Sequence, residues 1–200
     1  MCAVSYTGIM LYTGNGDDGT TRLFSDKNNK QTRTFGCDQR ISKSSRVAEA
    51  LGAVDEVNSL LGVVKMKGKD VVVVDGVSFD AIIDDIQQDL FVVQAELAGA
   101  DKHIDLPRVR KVEELVDDIE KELPPIKTFF VPGGTELGAF CDYVRTVARR
   151  AERRVVEVVK ENKKWNDHLL AYMNRLSSLL YALARLANHH AGVHEEKPHY

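Results

Sequence analysis

The stretch RTVARRAERR, residues 145–154, holds five arginines and one glutamate in ten residues and contains no helix breaker. At about 100° per residue, Arg145, Arg149, Glu152 and Arg153 fall on one stripe of a helix, with an apolar face beside it. Arginine presents a planar donor fork that matches phosphate oxygens and stays charged at any working pH. The stretch therefore indicates a site for a polyanion, and a solvated surface helix is the open alternative.

A second chemical pattern is the segment YTGNGDDGTTRLF, residues 12–24, which contains three glycines. Glycines let backbone N–H groups approach a phosphate closely. The segment is not a Walker loop, because it lacks the GKS or GKT ending. Asp17 and Asp18 could hold a metal ion or fix the loop. A flexible N-terminal turn is the alternative interpretation.

Three further segments carry polar or aromatic residues beside apolar ones. Asp55, in ALGAVDEVNSLLG, could face solvent or pair with an arginine at a site or subunit contact. Phe129 and Phe130, before a Pro-Gly-Gly turn, could anchor a core or form an aromatic wall for a large flat ligand. Asn174 lies next to the apolar stripe of YMNRLSSLLYALAR, and an amide near a buried face usually has a partner.

The elements that must position these residues are helices. Apolar residues recur at spacings of three and four, with Ser44 or Ser45 suited to cap the first helix. Residues 13–40 are predicted to form an extended loop, and residues 71–74 a linker rather than a short strand. Proline ends the third helix, since it cannot continue one. Five helices are predicted. The first begins near Arg46, the second spans about 79–98, and the third begins after Pro107 and ends at Pro124. The fourth and fifth span about 136–162 and 167–191.

Five such helices with short connections predict an all-α fold, an antiparallel five-helix bundle with an N-terminal glycine-rich loop. The 200 residues suit a single domain, with residues 1–43 as the loop segment, 44–191 as the bundle and 192–200 as a tail. The C-terminal stretch NHHAGVHEEKPHY holds four of the six histidines. It is predicted to be solvated, with a metal site as the less favoured alternative.

Composition narrows the class of protein. A net charge of −3 does not fit a general nucleic-acid binder, so a small anionic ligand suits the local arginines better. Cys2, Cys37 and Cys141 form neither a disulfide framework nor a zinc pattern, which favours a reducing compartment. No apolar run is long enough to span a membrane, and the first residues lack the basic start of a targeting peptide. We expect a cytoplasmic location, with a mature mitochondrial form as the alternative.

Six segments together resemble a known family. The chain resembles the PduO-type ATP:corrinoid adenosyltransferases over nearly its whole length, in the order and the spacing of these segments. Any one fragment is a weak signal, whereas all six in sequence are specific. The segments are YTGNGDDGTTRL, RVAEALGAVDEVNSLLG, IQQDLF, FFVPGGT, RTVARRAERRVV and YMNRLSSLLYALAR.

The resemblance implies a homotrimer of five-helix bundles with active sites between the subunits. It implies transfer of the 5′-deoxyadenosyl group of ATP to the cobalt of reduced cobalamin, with release of triphosphate and with Mg²⁺ on the nucleotide. A reductase and an adenosylcobalamin-dependent mutase are the protein partners that it suggests.

Carried over residue by residue, the resemblance also implies the site residues. Arg145 would pair with Asp55 across the subunit contact, and Phe129 would lie beneath the corrin, where the lower cobalt ligand would otherwise be. Arg149 joins these three as a catalytic residue, and no residue is assigned to a metal. The residues expected to hold ATP are Thr13, Gly14, Asn15, Gly16, Thr21, Arg22, Lys43, Arg149, Arg150, Glu152, Arg153 and Asn174.

The chain departs from the family pattern in two places. Gly14 stands where the family usually has Lys or Arg, so one cation for the phosphates is missing. The segment SKSSRV precedes the first helix, where the family often has acidic residues and a proline after its Lys. Lys43 keeps the family's distance to Asp55, and its role is therefore carried over.

Two other functions compete with catalysis at this point. A carrier could hold adenosylcobalamin and deliver it to a mutase without turnover, using the same aromatic and basic residues. A helical interaction protein could instead present the arginine stripe to an acidic partner, and ATP would then not stabilise its fold.

Overall fold

The fold is known from a computed structural model that describes residue 12 and residues 14–23, 40–74, 76–161 and 167–199. Thr13, an expected ATP ligand, lies outside the described residues. The predicted five-helix bundle is confirmed, and no helix in the described part of the chain is long and apolar enough to cross a membrane. The helices are α1 (Arg46–Lys67), α2 (Phe79–Leu97), α3 (Leu106–Glu122), α4 (Glu136–Glu161) and α5 (Asp167–His190).

Local sequence sets where these helices begin and end. The Ser45 hydroxyl accepts a hydrogen bond from the Ala48 N–H at 3.3 Å and caps α1. Asp105 caps α3 in the same way, by accepting from the Arg108 N–H at 3.1 Å. Leu123 leaves the helical conformation immediately before the two prolines, as expected for a residue that precedes proline.

The apolar faces of the helices form one core. Helix α4 packs between α1 and α5, while α2 packs on α1 and α3 packs on α5. Leu61, Leu90, Val144 and Leu180 are fully buried at these contacts. Each large aliphatic side chain buried in this way stabilises the fold by roughly 1.5–3 kcal/mol. The apolar side of α4 is thereby fixed in the core, and its arginines are left at the surface.

The structure contains two short antiparallel strand pairs that the sequence interpretation did not favour. Strand β1 (Thr20–Arg22) pairs with β2 (Arg40–Ser42), so residues 13–40 are not loop throughout. Strand β3 (Val72–Val74) pairs with β4 (Val77–Ser78), and the prediction of a linker at residues 71–74 was therefore wrong. The valines form a strand because β3 packs on α3, where Val73 is buried, and valine favours such half-buried pleated surfaces.

Gly138 on α4 provides a test of how closely α4 and α5 approach. A Cβ at Gly138 would overlap the Asn188 side chain and lie 3.0 Å from the Ala184 carbonyl oxygen of α5. We expect Gly138→Ala to lower the free energy of unfolding by about 1–3 kcal/mol, because the helices must separate to admit the methyl group.

Gly62→Ala on α1 is the matched control. Its added Cβ would meet only Gln87, at 3.9 Å, so the gain in helix propensity of about 0.5–1 kcal/mol is expected to raise stability. Urea unfolding of both variants measures the difference. Equal midpoints for Gly138→Ala and the wild-type protein would contradict the close packing of α4 on α5.

Candidate functional site

A surface cavity of about 530 Å³ brings together three of the four predicted catalytic residues, Phe129, Arg145 and Arg149. Its volume falls within the range of roughly 300–1,000 Å³ that is typical of small-molecule sites. One wall comes from the loop before α4, one from α4 and one from α5. The lining residues are Ile126, Thr128, Phe129, Phe130, Arg145, Arg149, Ser177, Ser178 and Tyr181.

Phe129 is strongly exposed although it is a large apolar residue, since 79 % of its surface is open to solvent. The loop that carries it is nevertheless held in place. The Asn188 amide of α5 donates to the Gly133 carbonyl at 2.9 Å, and its oxygen accepts from the Thr135 N–H at 2.9 Å. An exposed aromatic ring on an anchored loop is suited to contact a large flat ligand. The alternative that Phe129 anchors a core does not fit this exposure.

The arginines of α4 divide into paired and available groups. Arg145 donates to Asp142 at 3.0 Å, and Arg150 donates to Glu56 of α1 at 2.5 Å. The Glu56 carboxylate raises the pKa of Arg150, and this pair ties α4 to α1. Among the described residues, no ion pair is recorded for Arg149. Its charge is therefore available for an anionic ligand.

Arg153 and Arg149 are neighbours on the exposed side of α4. The Arg153 guanidinium donates to the Arg149 carbonyl oxygen at 3.2 Å, which keeps the side chain along the helix surface. One turn separates the two charges, a spacing that suits two phosphate groups of one ligand. The predicted basic stripe thus contains two guanidinium groups that can turn toward an anion.

Tyr181 of α5 forms the floor between Arg145 and the aromatic loop. The Arg145 guanidinium lies over the Tyr181 ring, 5.7 Å from its centre, in a cation–π contact. Partial burial raises the pKa of the Tyr181 phenol, and its hydroxyl therefore stays protonated and can donate to a ligand. Within its own chain Arg145 contacts Asp142 and Tyr181, while the Asp55 carboxylate accepts from Gln94 at 3.5 Å, so the predicted pair across a subunit contact stays a prediction.

Asn174 of α5 and Glu152 of α4, both expected to hold ATP, lie in contact. The Asn174 amide donates to Glu152 at 3.1 Å, and the Asn174 oxygen accepts from Arg175 at 3.1 Å. Arg175 in turn donates to Glu113 of α3 at 3.0 Å. This chain of contacts fixes which end of the Asn174 amide faces Glu152.

The glycine-rich loop contacts Lys43, and the resemblance assigns both to the ATP phosphates. The Lys43 ammonium donates to the Gly16 carbonyl at 2.8 Å, and a Cβ at Gly16 would come within 2.9 Å of that nitrogen. Gly14 has φ +70 and accepts the turn hydrogen bond from the Asp17 N–H at 3.2 Å. This left-handed conformation favours glycine over a basic residue, which accounts physically for the departure at Gly14.

The remaining loop residues belong to a compact turn and hairpin. Asp18 accepts hydrogen bonds from the Thr20 hydroxyl at 2.7 Å and the Thr20 N–H at 2.9 Å, and these bonds lower the pKa of its carboxyl group. Asp18 therefore fixes the loop, which was one of the two roles predicted for it. Thr21 and Arg22 lie in β1 opposite Ile41 and Arg40. Asn15 lies in the turn, where its carbonyl accepts from Arg40.

The loop and the arginine cavity lie apart within one chain. Arg46, at the start of α1, forms an ion pair with Glu161 at the end of α4, and this pair places the loop side of α1 at that end of the bundle. Arg149 lies twelve positions before Glu161, or about 18 Å along the helix axis. A ligand that needs both groups from one chain would have to bridge this distance.

A family model described as cobalamin adenosyltransferase matches residues 11–187, which includes the loop, α4 and most of α5. The chain belongs to the cobalamin adenosyltransferase family. The family resemblance inferred from the six segments is therefore confirmed.

Individual relatives agree with this family. The corrinoid adenosyltransferase PduO of Citrobacter freundii is 34 % identical over 190 residues, covering 92 % of this chain and 51 % of that protein, so the chain spans about half its length. The corrinoid adenosyltransferase of Bacillus subtilis (strain 168) is 31 % identical over 196 residues, covering 92 % and 90 %.

A solved structure agrees at the level of the fold. It is that of a variant PduO-type ATP:corrinoid adenosyltransferase from Lactobacillus reuteri complexed with cobalamin and ATP. The two structures match with a TM-score of 0.78 at 30 % identity, covering 96 % of this chain and 100 % of that one.

The sequence analysis did not identify some residues that support the candidate site of this chain. Arg40 donates to the Thr20 carbonyl at 3.0 Å and to the Thr20 hydroxyl, so it organises the glycine-rich loop from the neighbouring strand. Glu113 and Arg175 orient Asn174. No local pattern in the sequence indicates these contacts. Arg40 is 20 positions from Thr20, and Arg175 is 62 positions from Glu113.

The C-terminal segment is mostly exposed, as predicted. It also contacts the bundle, which was not predicted: Glu195 pairs with the buried Arg185, and the Glu196 carbonyl accepts from the Val131 N–H at 2.8 Å. Buried arginine requires a charge partner, which explains why the segment folds back on the bundle.

The described residues contain no enclosed metal centre, and their one cysteine is buried. Within the described ranges, no group of three or more His, Cys, Asp or Glu side chains is arranged to hold a metal ion. Burial raises the pKa of the Cys141 thiol to about 12, so this cysteine stays protonated in the core. The chemistry of the site therefore depends on its arginines, amide and aromatic residues.

Proposed function

We propose that this protein is an ATP:corrinoid adenosyltransferase, which moves the 5′-deoxyadenosyl group of ATP to the cobalt of reduced cobalamin. The observation that carries the proposal is the cavity that exposed Phe129 shares with Arg149, which has no ion pair with any residue that the structure describes. Such a cavity suits two ligands together, a polyanion at Arg149 and a large flat ring at Phe129. The relatives named above act as corrinoid adenosyltransferases, which favours catalysis over a carrier or an interaction protein.

The reaction fits a site without a nucleophilic side chain. Cobalt(I) attacks the C5′ carbon of ATP with its own electron pair, the Co–C bond forms, and the C–O bond to the triphosphate breaks. The triphosphate leaves with the electrons of that bond. Alignment of the two substrates accounts for a large part of the acceleration. The remaining need is to stabilise charge on the leaving triphosphate, for which Arg149 and Arg153 are placed.

The nucleotide contacts combine the two groups of residues described above. Lys43 and the backbone of the glycine-rich loop hold phosphates, while Asn174 and Glu152 hold the nucleoside end from the α4–α5 side. Arg150, which the resemblance also assigns to ATP, would have to exchange its Glu56 partner for a phosphate. Mg²⁺ on the triphosphate fits a site of this kind, because it binds mainly phosphate oxygens and water and supplies further charge neutralisation.

Phe129 acts on the other substrate. A phenyl ring cannot coordinate cobalt, so a corrin resting on Phe129 loses its lower ligand. Cobalt(II) without that ligand is more easily reduced to the nucleophilic cobalt(I), which is the difficult step before transfer. The electron comes from a reductase, and an adenosylcobalamin-dependent mutase would consume the product. The reducing, cytoplasmic location expected from the cysteines stays a prediction.

We also propose that the site is completed by a second copy of the chain in a homotrimer. The separation of about 18 Å between the loop end of the bundle and Arg149 supports this arrangement. Asp55 is exposed on a groove that also includes Phe91, which is 58 % exposed. A partner that covers this groove with Arg145 would pair the two predicted residues and bury the aromatic ring.

Arg149→Ala tests the charge assigned to the leaving group. We expect the bundle to stay folded, since Arg149 is exposed, and transfer to fall by about a hundredfold to a thousandfold through lost charge stabilisation. The assay follows triphosphate release and alkylcobalamin formation from cob(I)alamin and MgATP. Arg154→Ala is the control, because Arg154 lies on the same helix but pairs with Glu157. If Arg149→Ala transfers the adenosyl group at the wild-type rate, Arg149 does not stabilise the leaving triphosphate.

Phe129→Ala tests the lower-ligand argument. Transfer that starts from cob(II)alamin and a reductant is expected to fall much more than transfer that starts from cob(I)alamin, since only the first requires the ligand to be lost. Val131→Ala, another exposed side chain of the same loop, is expected to leave both assays near wild type. Equal losses in the two assays for Phe129→Ala would contradict the proposed role.

Asp55→Arg tests the subunit contact. We expect the mass in solution, measured by light scattering, to fall from that of three chains to that of one, because two arginines would then face each other. Glu114→Arg is the control. The Glu114 side chain is exposed on α3, so this variant is expected to leave the trimer intact. The double variant Asp55→Arg with Arg145→Asp is expected to restore it. A trimeric Asp55→Arg protein would show that this pair does not hold the subunits together.

A further inference from the structure

The loop that presents Phe129 is bound at three separate points. The Arg185 guanidinium of α5 donates to the Pro124 carbonyl at 3.1 Å, at the start of the loop. Asn188 holds its other end at Gly133 and Thr135. Between them, the Val131 N–H donates to the Glu196 carbonyl. Phe129 itself is mostly exposed, so its position depends on these neighbouring contacts rather than on its own packing.

Arg185 is the most buried of these anchors, with only 4 % of its side chain exposed. Its guanidinium lies over the ring of Phe130, 5.2 Å from the centre, next to Phe129 in the chain. Its charge is balanced by Glu195, whose carboxylate oxygens lie 3.1 and 3.0 Å from Nε. One side chain therefore contacts the start of the loop, the neighbouring aromatic residue and the C-terminal segment.

Glu195 reaches Arg185 because the C-terminal segment turns back after α5. The Val193 N–H donates to the Asn188 carbonyl at 2.9 Å, which closes the turn at Gly192. The Glu196 carbonyl then accepts from Val131. This backbone pairing holds the segment against the loop and places the Glu195 carboxylate on the buried guanidinium.

We propose that Glu195, acting through Arg185, is a positioning residue that sets the location of Phe129 under the corrin. The inference rests on the proposed function and goes beyond it, because it assigns a role to a segment outside the six family motifs. A buried guanidinium without its carboxylate partner must find water or another acceptor. Without Glu195, Arg185 is displaced, and its contacts with Pro124 and Phe130 loosen together.

Glu195→Ala is the first variant, and Glu196→Ala is its matched control. Glu196 is exposed and contacts the loop through its backbone, which alanine retains. For Glu195→Ala we expect faster amide exchange in the peptide 126–135 and a fall on the order of tenfold to a hundredfold in transfer started from cob(II)alamin. Transfer started from cob(I)alamin is expected to change much less, and the KM for ATP to stay at the wild-type value. Glu196→Ala is expected to match the wild type in every measurement.

Arg185→Met keeps the test open if Glu195→Ala does not fold. It replaces the buried charge by a flexible apolar side chain and leaves Glu195 near solvent, so the bundle is expected to fold. The same faster exchange and the same selective loss are expected. Wild-type exchange in residues 126–135, together with a wild-type ratio of the two transfer rates, in either folded variant would overturn the proposal.

The amide-exchange measurement needs no substrate. If the wild-type protein itself catalyses no transfer, the proposed function fails, whereas the exchange rates still report whether Glu195 holds the loop. Unchanged exchange with normal transfer would instead leave the proposed function intact and remove the role of Glu195.

Discussion

The burial of the apolar side of α4 between α1 and α5 is the constraint on which the site depends. Val144, Ala148 and Ala151 are fully buried, and this fixes the rotation of the helix about its axis. With that rotation set, Arg149 and Arg153 must point outward. Gly138 allows the same helix to approach α5 closely at its start, next to the loop that carries Phe129. The core packing therefore determines where the charges and the aromatic ring meet.

Electrostatic pairing then decides which of the exposed arginines can serve a ligand. Arg150 and Arg154 have carboxylate partners, and Arg145 is held by Asp142 and the Tyr181 ring. Within the described part of the chain, Arg149 has no recorded ion pair, so an anion gains its full interaction without first breaking one. Of the five arginines in the stretch 145–154, the structure thus singles out Arg149 as one whose charge is available to a ligand. The same reasoning separates a functional residue from those that hold helices together.

The five helices could be predicted because they are encoded by local patterns, whereas the roles of the site residues came from the family resemblance and stay predictions. The spacing of apolar residues and the cap at Ser45 are readable within a few positions, whereas the cap at Asp105 was not predicted. The meeting of Lys43 with the glycine-rich loop followed from the family resemblance. The β3–β4 hairpin was missed because its strands are held by packing on α3, which no window of the sequence contains. The ion pair between Glu195 and Arg185 was missed for a related reason, since the sequence does not show that the fold buries Arg185.

The most direct test of the central claim is the structure of this protein crystallised with MgATP and cob(II)alamin. We expect the triphosphate to accept hydrogen bonds from Arg149, and the corrin to rest on Phe129 with no ligand below the cobalt. Triphosphate bound away from Arg149, or a corrin that keeps its lower ligand at a distance from Phe129, would contradict the account.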